Sequence, residues 1–507
     1  MCEQPIENGV ARVEEKNKDG AEEQAKLEAD HPAGVSGQAQ TSNPGVLGQA
    51  QANNPGGLGT AQPLGQPRYH RADRSIILPA MTLDELLEDD HPARDVWKYV
   101  EGIDLSWLYD RIRAREHTRG RSAIDPRILT ALWLYSILYG VTSARRLSEL
   151  CQHHHAFRWL AGDIHVNHHT LSDFLVDHID FLEHLFKHSI EVLANEGLVN
   201  LDRIGQDGMR VRASAGAASF HRTSTLERIF QDAKCKLRKV QEQLDNLSQQ
   251  QDQKEVASDS QGENASGQEA SLAKLAAQKR AAEEAIARAE QALERMPEMQ
   301  AKKKEDEEKA KTRVSSTDPE ATVMKMANGG FNPAYNFQFA TTTDNLIVVG
   351  VDVVTEGSDQ GQLPPMVAQV EKNCGERPAN ALVDGGFVNK EDIEEVQSGK
   401  EGKPGIKVYA PVPKPKKEGA DRYEAKPDDS PEVAEWRQRM GSAEAKEIYK
   451  ERASSAELVN AHARNRSLIR LLVRTLAKVR AVALWFATVH NMARGFALLP
   501  QQIAIGA

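Results

Sequence analysis

The sequence predicts a mixed α/β fold with an all-α region before it and a helical insertion inside it. Three observations carry this prediction. Residues 71–198 have helical periodicity, residues 226–296 change to heptad spacing, and the residues after Asp318 alternate between short apolar strands and helices. A strand hairpin followed by alternating strands and helices is typical of a mixed α/β domain. Because the heptad region differs in period from both of its neighbours, we interpret it as an insertion.

The composition excludes a membrane-embedded chain. Hydrophobic residues make up 40% and charged residues 27% of the 507 residues, which is ordinary for a globular protein. The longest apolar run, residues 128–139, is about half of the roughly 20 residues that a membrane span needs. The N-terminus lacks a secretory signal, and the 4 cysteines are scattered, so we expect a reducing cytoplasm and no membrane partner.

Basic residues are concentrated in two segments although the net charge is −10. Residues 458–507 contain seven basic residues and no acidic one, and eight arginines between residues 111 and 146 meet only two acids. Local basic surfaces on an acidic chain are typical of polyanion binding, although solvated helix faces are the alternative. The candidate contacts in the second segment are Arg119, Arg121, Arg145 and Arg146.

The chain divides into four predicted parts. Residues 1–68 carry an imperfect 11-residue repeat and few large apolar side chains, so we predict a disordered tail. Residues 69–198 begin helices at signals such as Asp125 before Pro126 and are predicted to be an all-α DNA-binding domain, with plain helix packing as the alternative. Residues 224–314 are predicted to be an antiparallel coiled-coil hairpin. The α/β domain comprises residues 199–223 and 315–500.

Within the α/β part, we predict strands near residues 201–212, 334–340, 345–354, 379–384 and 405–410. Helices are predicted at residues 364–373 and 390–397, a loop at 412–432, and a long helical region from about 443 to 496. Asp207 and Asp384 lie at or near the ends of short strands, and each is followed by glycine. Two carboxylates from neighbouring strands can hold Mg²⁺, although Asp-Gly is also a common turn.

The long predicted helix carries a polar stripe. At 100° per residue, Tyr449, Glu457, Asn460 and Arg464 lie within about 80° of arc, and Arg452 flanks them. Such a stripe is too polar for a core. A charged solvent-facing side of the helix is the alternative interpretation.

These residues together resemble the DDE transposases of bacterial insertion sequences, in the group marked by a Tyr-Arg-Glu-Lys signature. The resemblance rests on Asp207-Gly, Asp384-Gly-Gly-Phe and Tyr449-x2-Arg452-x4-Glu457-x6-Arg464, and it covers about residues 70–500 except the hairpin. Also similar are Tyr335-Asn-Phe-Gln and Gly357-Ser-Asp-Gln. Two departures stand out. The Arg-to-Glu spacing is four residues where three is usual, and Arg464 replaces the signature lysine.

The resemblance implies a ribonuclease-H-like catalytic domain that cuts and rejoins DNA. It implies that Asp207, Asp384 and Glu457 are the catalytic and metal-binding acids, with two Mg²⁺ ions or Mn²⁺ in their place. Tyr449, Arg452, Asn460 and Arg464 would contact DNA. The partners would be the element's terminal repeats and a target duplex, bound by a homo-oligomer at the nucleoid.

Alternative functions stay open at this stage. An inactive or domesticated copy would be a DNA-binding coiled-coil scaffold, and a metal-dependent nuclease would cut without strand transfer. A zinc site is a rival use of the cluster between residues 151 and 169, but three adjacent histidines cannot all face one ion from a helix. The cluster comprises Cys151, His153, His154, His155, Asp163, His165, His168 and His169.

Overall fold

The computed structural model describes residues 68–75, 81–117, 121–255, 265–399, 402, 404–415 and 421–499. These belong to a compact unit that spans residues 64–507. The predicted disordered tail, residues 1–68, lies outside the described residues except for Arg68.

The first part of the described chain is helical, as predicted. The helix start at Asp125 is confirmed, since its carboxylate accepts a hydrogen bond of 2.9 Å from the backbone N–H of Arg127, and Pro126 occupies the first turn. A two-residue strand pair, β1 (Tyr69–His70) with β2 (Ala123–Ile124), precedes this helix. The helices are α1 (Pro92–Glu101), α2 (Ser106–Asp110), α3 (Pro126–Leu138), α4 (Ala144–His153), α5 (His155–Ala161), α6 (His168–Val176) and α7 (Ile179–Asn195).

The strands that follow are β3 (Arg203–Arg212), β4 (Phe220–His221), β5 (Val314–Ser315), β6 (Thr322–Lys325), β7 (Phe331–Thr342), β8 (Val348–Val354), β9 (Asn380–Val383) and β10 (Lys407–Tyr409). Strands β4 and β5 pair with one another, and the others form a mixed sheet in the order β10-β9-β3-β7-β6, with β8 also paired to β7. The central strand β3 runs antiparallel to β7 and parallel to β9, and β9 runs parallel to β10. The mixed α/β prediction is therefore confirmed.

Two long helices, α8 (Thr223–Glu255) and α9 (Ala265–Ala301), lie between β4 and β5. Leu226 at the start of α8 packs with Ala292 and Met296 near the end of α9, so the two helices run antiparallel there. Because β4 and β5 pair with one another, the helices leave and re-enter the fold at neighbouring points. Coiled-coil packing along their length stays a prediction.

The long helical region predicted for residues 443–496 is confirmed in part, since residues 466–475 are not helical. It is divided into α14 (Ala443–Arg452), a π-helical turn (Ala453–Glu457), α15 (Leu458–Asn465) and α16 (Leu476–Leu498). Residues 466–475 leave the helix because their backbone hydrogen-bonds to the end of β3 instead, Leu471 N–H donating to Arg212 O at 2.8 Å. The other helices are α10 (Asp306–Lys311), α11 (Leu363–Cys374), α12 (Lys390–Gln397) and α13 (Pro431–Gly441).

The N-terminal helices and the sheet share one hydrophobic core. The buried helix α16 joins them, because the Trp485 indole N–H donates 3.1 Å to the Leu175 carbonyl of α6, while Asn491 bonds Val348 of β8. The sheet is thereby held in a fixed position against the helices, with the ends of β3 and β9 beside α14 and α15.

Candidate active site

Asp207 and Asp384 lie side by side because of strand register. Gln206 of β3 pairs with Val383 of β9 in parallel orientation, and each aspartate is the next residue along its strand. The two carboxyl groups interact electrostatically. The strands predicted to carry these acids are confirmed, and Asp384 directly follows the end of β9, but Asp207 lies in the middle of β3 and not near a strand end. The proximity of the two acids follows from the backbone pairing alone.

Asp207 occupies a largely enclosed position. Its side chain is 17% exposed. Burial raises the pKa of its carboxyl from 3.8 to about 6, Arg452 opposes this shift, and Asp384 adds to it. Asn460 Nδ2 donates a hydrogen bond of 2.9 Å to Asp207 Oδ2. Asn460 is itself 2% exposed, so the structure places this predicted DNA contact against the acid and not on the surface.

Arg452 links the helical side of the site to both kinds of acid. Its Nη2 donates to Glu457 Oε1 at 2.6 Å, and its Nη1 lies 3.9 Å from Asp207 Oδ1. The Glu457 side chain is 55% exposed, unlike that of Asp207. The guanidinium therefore stands between Asp207 and Glu457 as a positive charge that both carboxylates share.

Tyr449 also faces this cluster. Burial raises the pKa of its phenol, Arg452 lowers it, and both Asp384 and Asp207 raise it further. The structure thus brings Tyr449, Arg452 and Asn460 to the two aspartates. Arg464 lies apart from them, exposed at the end of α15.

The π-helical turn lies between Arg452 and Glu457, where the sequence has one residue more than the usual spacing. A π-turn closes its hydrogen bonds from i to i+5 and so accommodates one extra residue without rotating the helix that follows. Ser455 packs within the turn against Gly205 of β3, where an added Cβ would lie 2.8 Å from Ser455 Oγ. The prediction assumed a regular helix of 100° per residue from Tyr449 to Arg464, and this assumption is wrong at the π-turn.

Glu451 belongs to a different contact. Its Oε1 accepts a hydrogen bond of 2.9 Å from Arg203 Nη1 at the start of β3. This ion pair is partly exposed on both sides. Glu457, and not Glu451, is the glutamate that shares Arg452 with Asp207.

The glycine after Asp207 has a different role from the one expected. We expected Gly208 to admit a ligand close to the backbone, but a Cβ there would lie 2.3 Å from Asp359 Oδ1 and 2.7 Å from Gln338 Nε2. The side chains of Asp359 and Gln338 therefore stand where a side chain of residue 208 would begin. Sequence reasoning missed Asp359 as a site residue, although the Gly357-Ser-Asp-Gln segment that contains it was a part of the resemblance.

The donors around Asp207 are of the kind that Mg²⁺ prefers. The described residues contain no group of three or more His, Cys, Asp or Glu side chains arranged to hold a metal ion. However, Mg²⁺ is commonly bound through one or two carboxylates, with waters and substrate phosphates completing its shell. The buried Oδ1 of Asn460 beside Asp207 also has no hydrogen-bond partner in the described structure. The donor set fits such a cation.

The histidine-rich segment does not form a zinc site in the part of the chain that the structure describes. Cys151 is buried, and burial raises the pKa of its thiol to about 12, which disfavours the thiolate that zinc requires. Asp163 instead pairs with Arg158 Nε at 2.6 Å. Core packing explains Cys151, whereas most of the histidines of this cluster are exposed at the surface.

Both basic segments leave arginines exposed at the surface, but they differ in the contacts that some of those arginines make. Arg121, Arg145 and Arg146 are exposed, with Arg146 3.2 Å from Glu149, and Arg119 lies outside the described residues. In the C-terminal segment, by contrast, Arg480 pairs with Asp352 at 3.0 Å, and Arg494 donates to the Asn345 carbonyl at 2.9 Å. Some basic residues of the C-terminal segment therefore stabilise the fold.

Residues 81–177 match a family model described as "Transposase domain (DUF772)". This match supports a transposase, and it covers helices α1 to α6 but none of the candidate catalytic acids. No curated protein and no solved structure matches the chain. Among the described helices, none is both long and apolar enough to cross a lipid bilayer.

Proposed function

We propose that the chain is a DNA transposase that binds insertion-sequence ends, cleaves phosphodiester bonds and transfers the 3′ ends to target DNA. One observation carries the chemical part of this proposal. Strand register places Asp207 beside Asp384, and the π-turn places Glu457 on an arginine that also faces Asp207. The match of residues 81–177 to a transposase domain supports the same class from a separate part of the chain. The mixed sheet with its two central acids supports a ribonuclease-H-like catalytic domain.

Asp207, Asp384 and Glu457 would hold two Mg²⁺ ions, with Mn²⁺ able to replace them. Two such cations stabilise both the attacking and the leaving oxygen of an in-line phosphodiester displacement. The protein's own contribution is positioning. Asn460 fixes Asp207 through the 2.9 Å hydrogen bond, and the high pKa of Asp207 means that its buried negative charge gains from a neighbouring cation.

Arg452 and Tyr449 would contact the DNA phosphate at the cleavage point. In the absence of DNA, Arg452 binds Glu457 and faces Asp207. Its planar guanidinium can hold a phosphate in the same two-pronged manner as a carboxylate. The exposed Arg464 would extend this track along the backbone of the duplex.

The helical region before the sheet would bind the element's ends. Its exposed arginines, Arg121, Arg145 and Arg146, would contact phosphates of the duplex. A homo-oligomer in the DNA complex would bring two ends together. The long antiparallel helices α8 and α9 are the candidates for this assembly.

The test is incubation of the purified chain with the flanking genomic DNA ends and Mg²⁺, scoring both cleaved and joined products. We expect wild type to give both products, and Glu457→Gln to give neither while still binding the ends. The matched control is Glu451→Gln, which loses only the partly exposed pair with Arg203. Cleavage without joining would indicate a nuclease, and end binding without cleavage would indicate an inactive scaffold.

A further inference from the structure

The loop after β8 holds a third aspartate close to the candidate active site, and unlike the other two it is buried. Asp359 is 8% exposed. Its Oδ1 accepts hydrogen bonds of 2.7 Å from both Asn336 Nδ2 and Gln338 Nε2, and Arg210 Nη2 lies 3.3 Å from its Oδ2. The two amides hydrogen-bond the carboxylate and Arg210 pairs with its charge, so together they hold Asp359 in one orientation.

The second oxygen of Asp359 faces Asp384 across a glycine. A Cβ on Gly386 would lie 2.9 Å from Asp384 Oδ1 and 3.6 Å from Asp359 Oδ2. The two carboxylate oxygens therefore border one small space, which is open because residue 386 has no side chain. Two carboxylates that share a space repel one another unless a cation lies between them.

A separate observation points to a missing ligand. Asn336 is fully buried, and its Oδ1 has no hydrogen-bond partner among the described residues. A Cβ on Gly208 would lie 3.0 Å from this oxygen and 2.3 Å from Asp359 Oδ1, so Asn336 Oδ1 and Asp359 Oδ1 both lie beside Gly208. A buried acceptor without a donor destabilises the fold. A hydrated cation beside Asp359 can satisfy it through a bound water.

We propose that Asp359 shares one of two divalent cations with Asp384, which makes it a further metal-binding acid of this site. This inference rests on the proposed function, because it assigns the second ion of the same two-cation centre. Glu457 lies on the helical side, where Arg452 holds it near Asp207. The two cations would thus be bound from opposite sides, one by a helix-borne acid and one by a loop-borne acid.

The test is direct titration of the full-length chain with Mn²⁺ in the absence of DNA, with free Mn²⁺ followed by electron paramagnetic resonance. We expect wild type to bind two Mn²⁺ ions. Asp359→Asn should lose one of them or bind it at least about tenfold more weakly. Asp352→Asn is the matched control, since Asp352 lies on the same sheet and pairs with Arg480 outside the site. It should bind Mn²⁺ as wild type does.

Gly386→Ala provides a second variant in which all the acids are kept. Its methyl group would enter the space between Asp384 and Asp359, so the same ion should again be lost or weakened, even if Asp359→Asn fails to fold. Thermal unfolding identifies variants that are merely unfolded. Wild-type Mn²⁺ binding in folded Asp359→Asn or Gly386→Ala would overturn the inference, while cleavage of element ends by wild type decides the proposed function separately. A wild type that binds no Mn²⁺ would overturn both.

Discussion

The two sides of the candidate active site are built on different principles. On the strand side, Asp207 and Asp384 are positioned by backbone pairing between β3 and β9. On the helix side, Glu457 depends on the count of residues after Arg452, and a π-turn accommodates the extra one. The position of an acid on a strand is therefore determined by the neighbouring strand. The position of an acid on a helix is determined by the number of residues that separate it from the preceding contact.

The largest effect should come from the strand side. We expect Asp207→Ala or Asp384→Ala to reduce cleavage of element ends to background while leaving end binding within about twofold, because the acids serve the cations and the arginines proposed to bind the element ends lie on the helices before the sheet. Cleavage is measured on labelled ends, and binding by gel shift on the same DNA. Asp352→Ala is the control. If Asp207→Ala or Asp384→Ala retained cleavage, the proposal that these acids bind the catalytic cations would be wrong.

The strand side was predictable because its determinants are local. An apolar strand that carries Asp-Gly or is followed by it can be recognised in the sequence, and parallel pairing then brings Asp384 beside Asp207. The helix side was predicted less well, because no local signal marks a π-turn or the departure of residues 466–475 toward β3. The role of Asp359 could not be predicted either. Its donors Asn336 and Gln338 come from β7 and meet it only in the folded sheet.

A second prediction concerns the cost of the buried charge at Asp207. Its pKa is raised from 3.8 to about 6, so between about pH 4 and 6 the folded protein binds a proton that the unfolded chain does not. Stability from this group therefore falls as the pH rises through that window. We expect Asp207→Asn to raise the free energy of unfolding at pH 8 by up to about 3 kcal/mol and to change it little below pH 4.

Chemical denaturation at both pH values, without divalent cations, measures this difference. Asp352→Asn should show no such gain, because Asp352 is paired with Arg480 and partly exposed. Adding Mg²⁺ should stabilise wild type more than Asp207→Asn. An equal effect of the substitution at pH 8 and below pH 4 would contradict the buried-charge explanation.

A smaller effect, on DNA binding, should distinguish the two basic segments. Each of Arg121→Ala, Arg145→Ala and Arg146→Ala should weaken DNA binding and reduce the slope of log affinity against log salt by about 0.9, since each would remove one phosphate contact. Arg480→Ala should leave the slope unchanged, because Arg480 is bound to Asp352. Filter binding across a salt series measures both. A reduced slope in Arg480→Ala alone would place the DNA on the C-terminal segment instead.

The smallest effect is expected from removing the residue that the π-turn accommodates. Deleting Ser454, an exposed residue of that turn, should convert the turn to regular α-helix and leave Tyr449 and Arg452 before it, and Glu457 and Asn460 after it, in place. We expect the free energy of unfolding to change by no more than about 1 kcal/mol, the range of ordinary surface changes, and cleavage to persist. Deleting Lys450, an exposed residue of α14, is the matched control.

Nothing in α14 can absorb the deletion of Lys450, so the helix must rotate by about 100° on one side of the gap. Either Tyr449 or Arg452 then leaves the aspartates, and cleavage should be lost. Circular dichroism and thermal unfolding establish that both deletion variants are folded before cleavage is scored. Equal damage from the two deletions would mean that the turn at residues 453–457 is required for the site in its own right. The extra residue would then be part of how Glu457 is aimed, and the shorter spacing of the resembling family could not substitute for it.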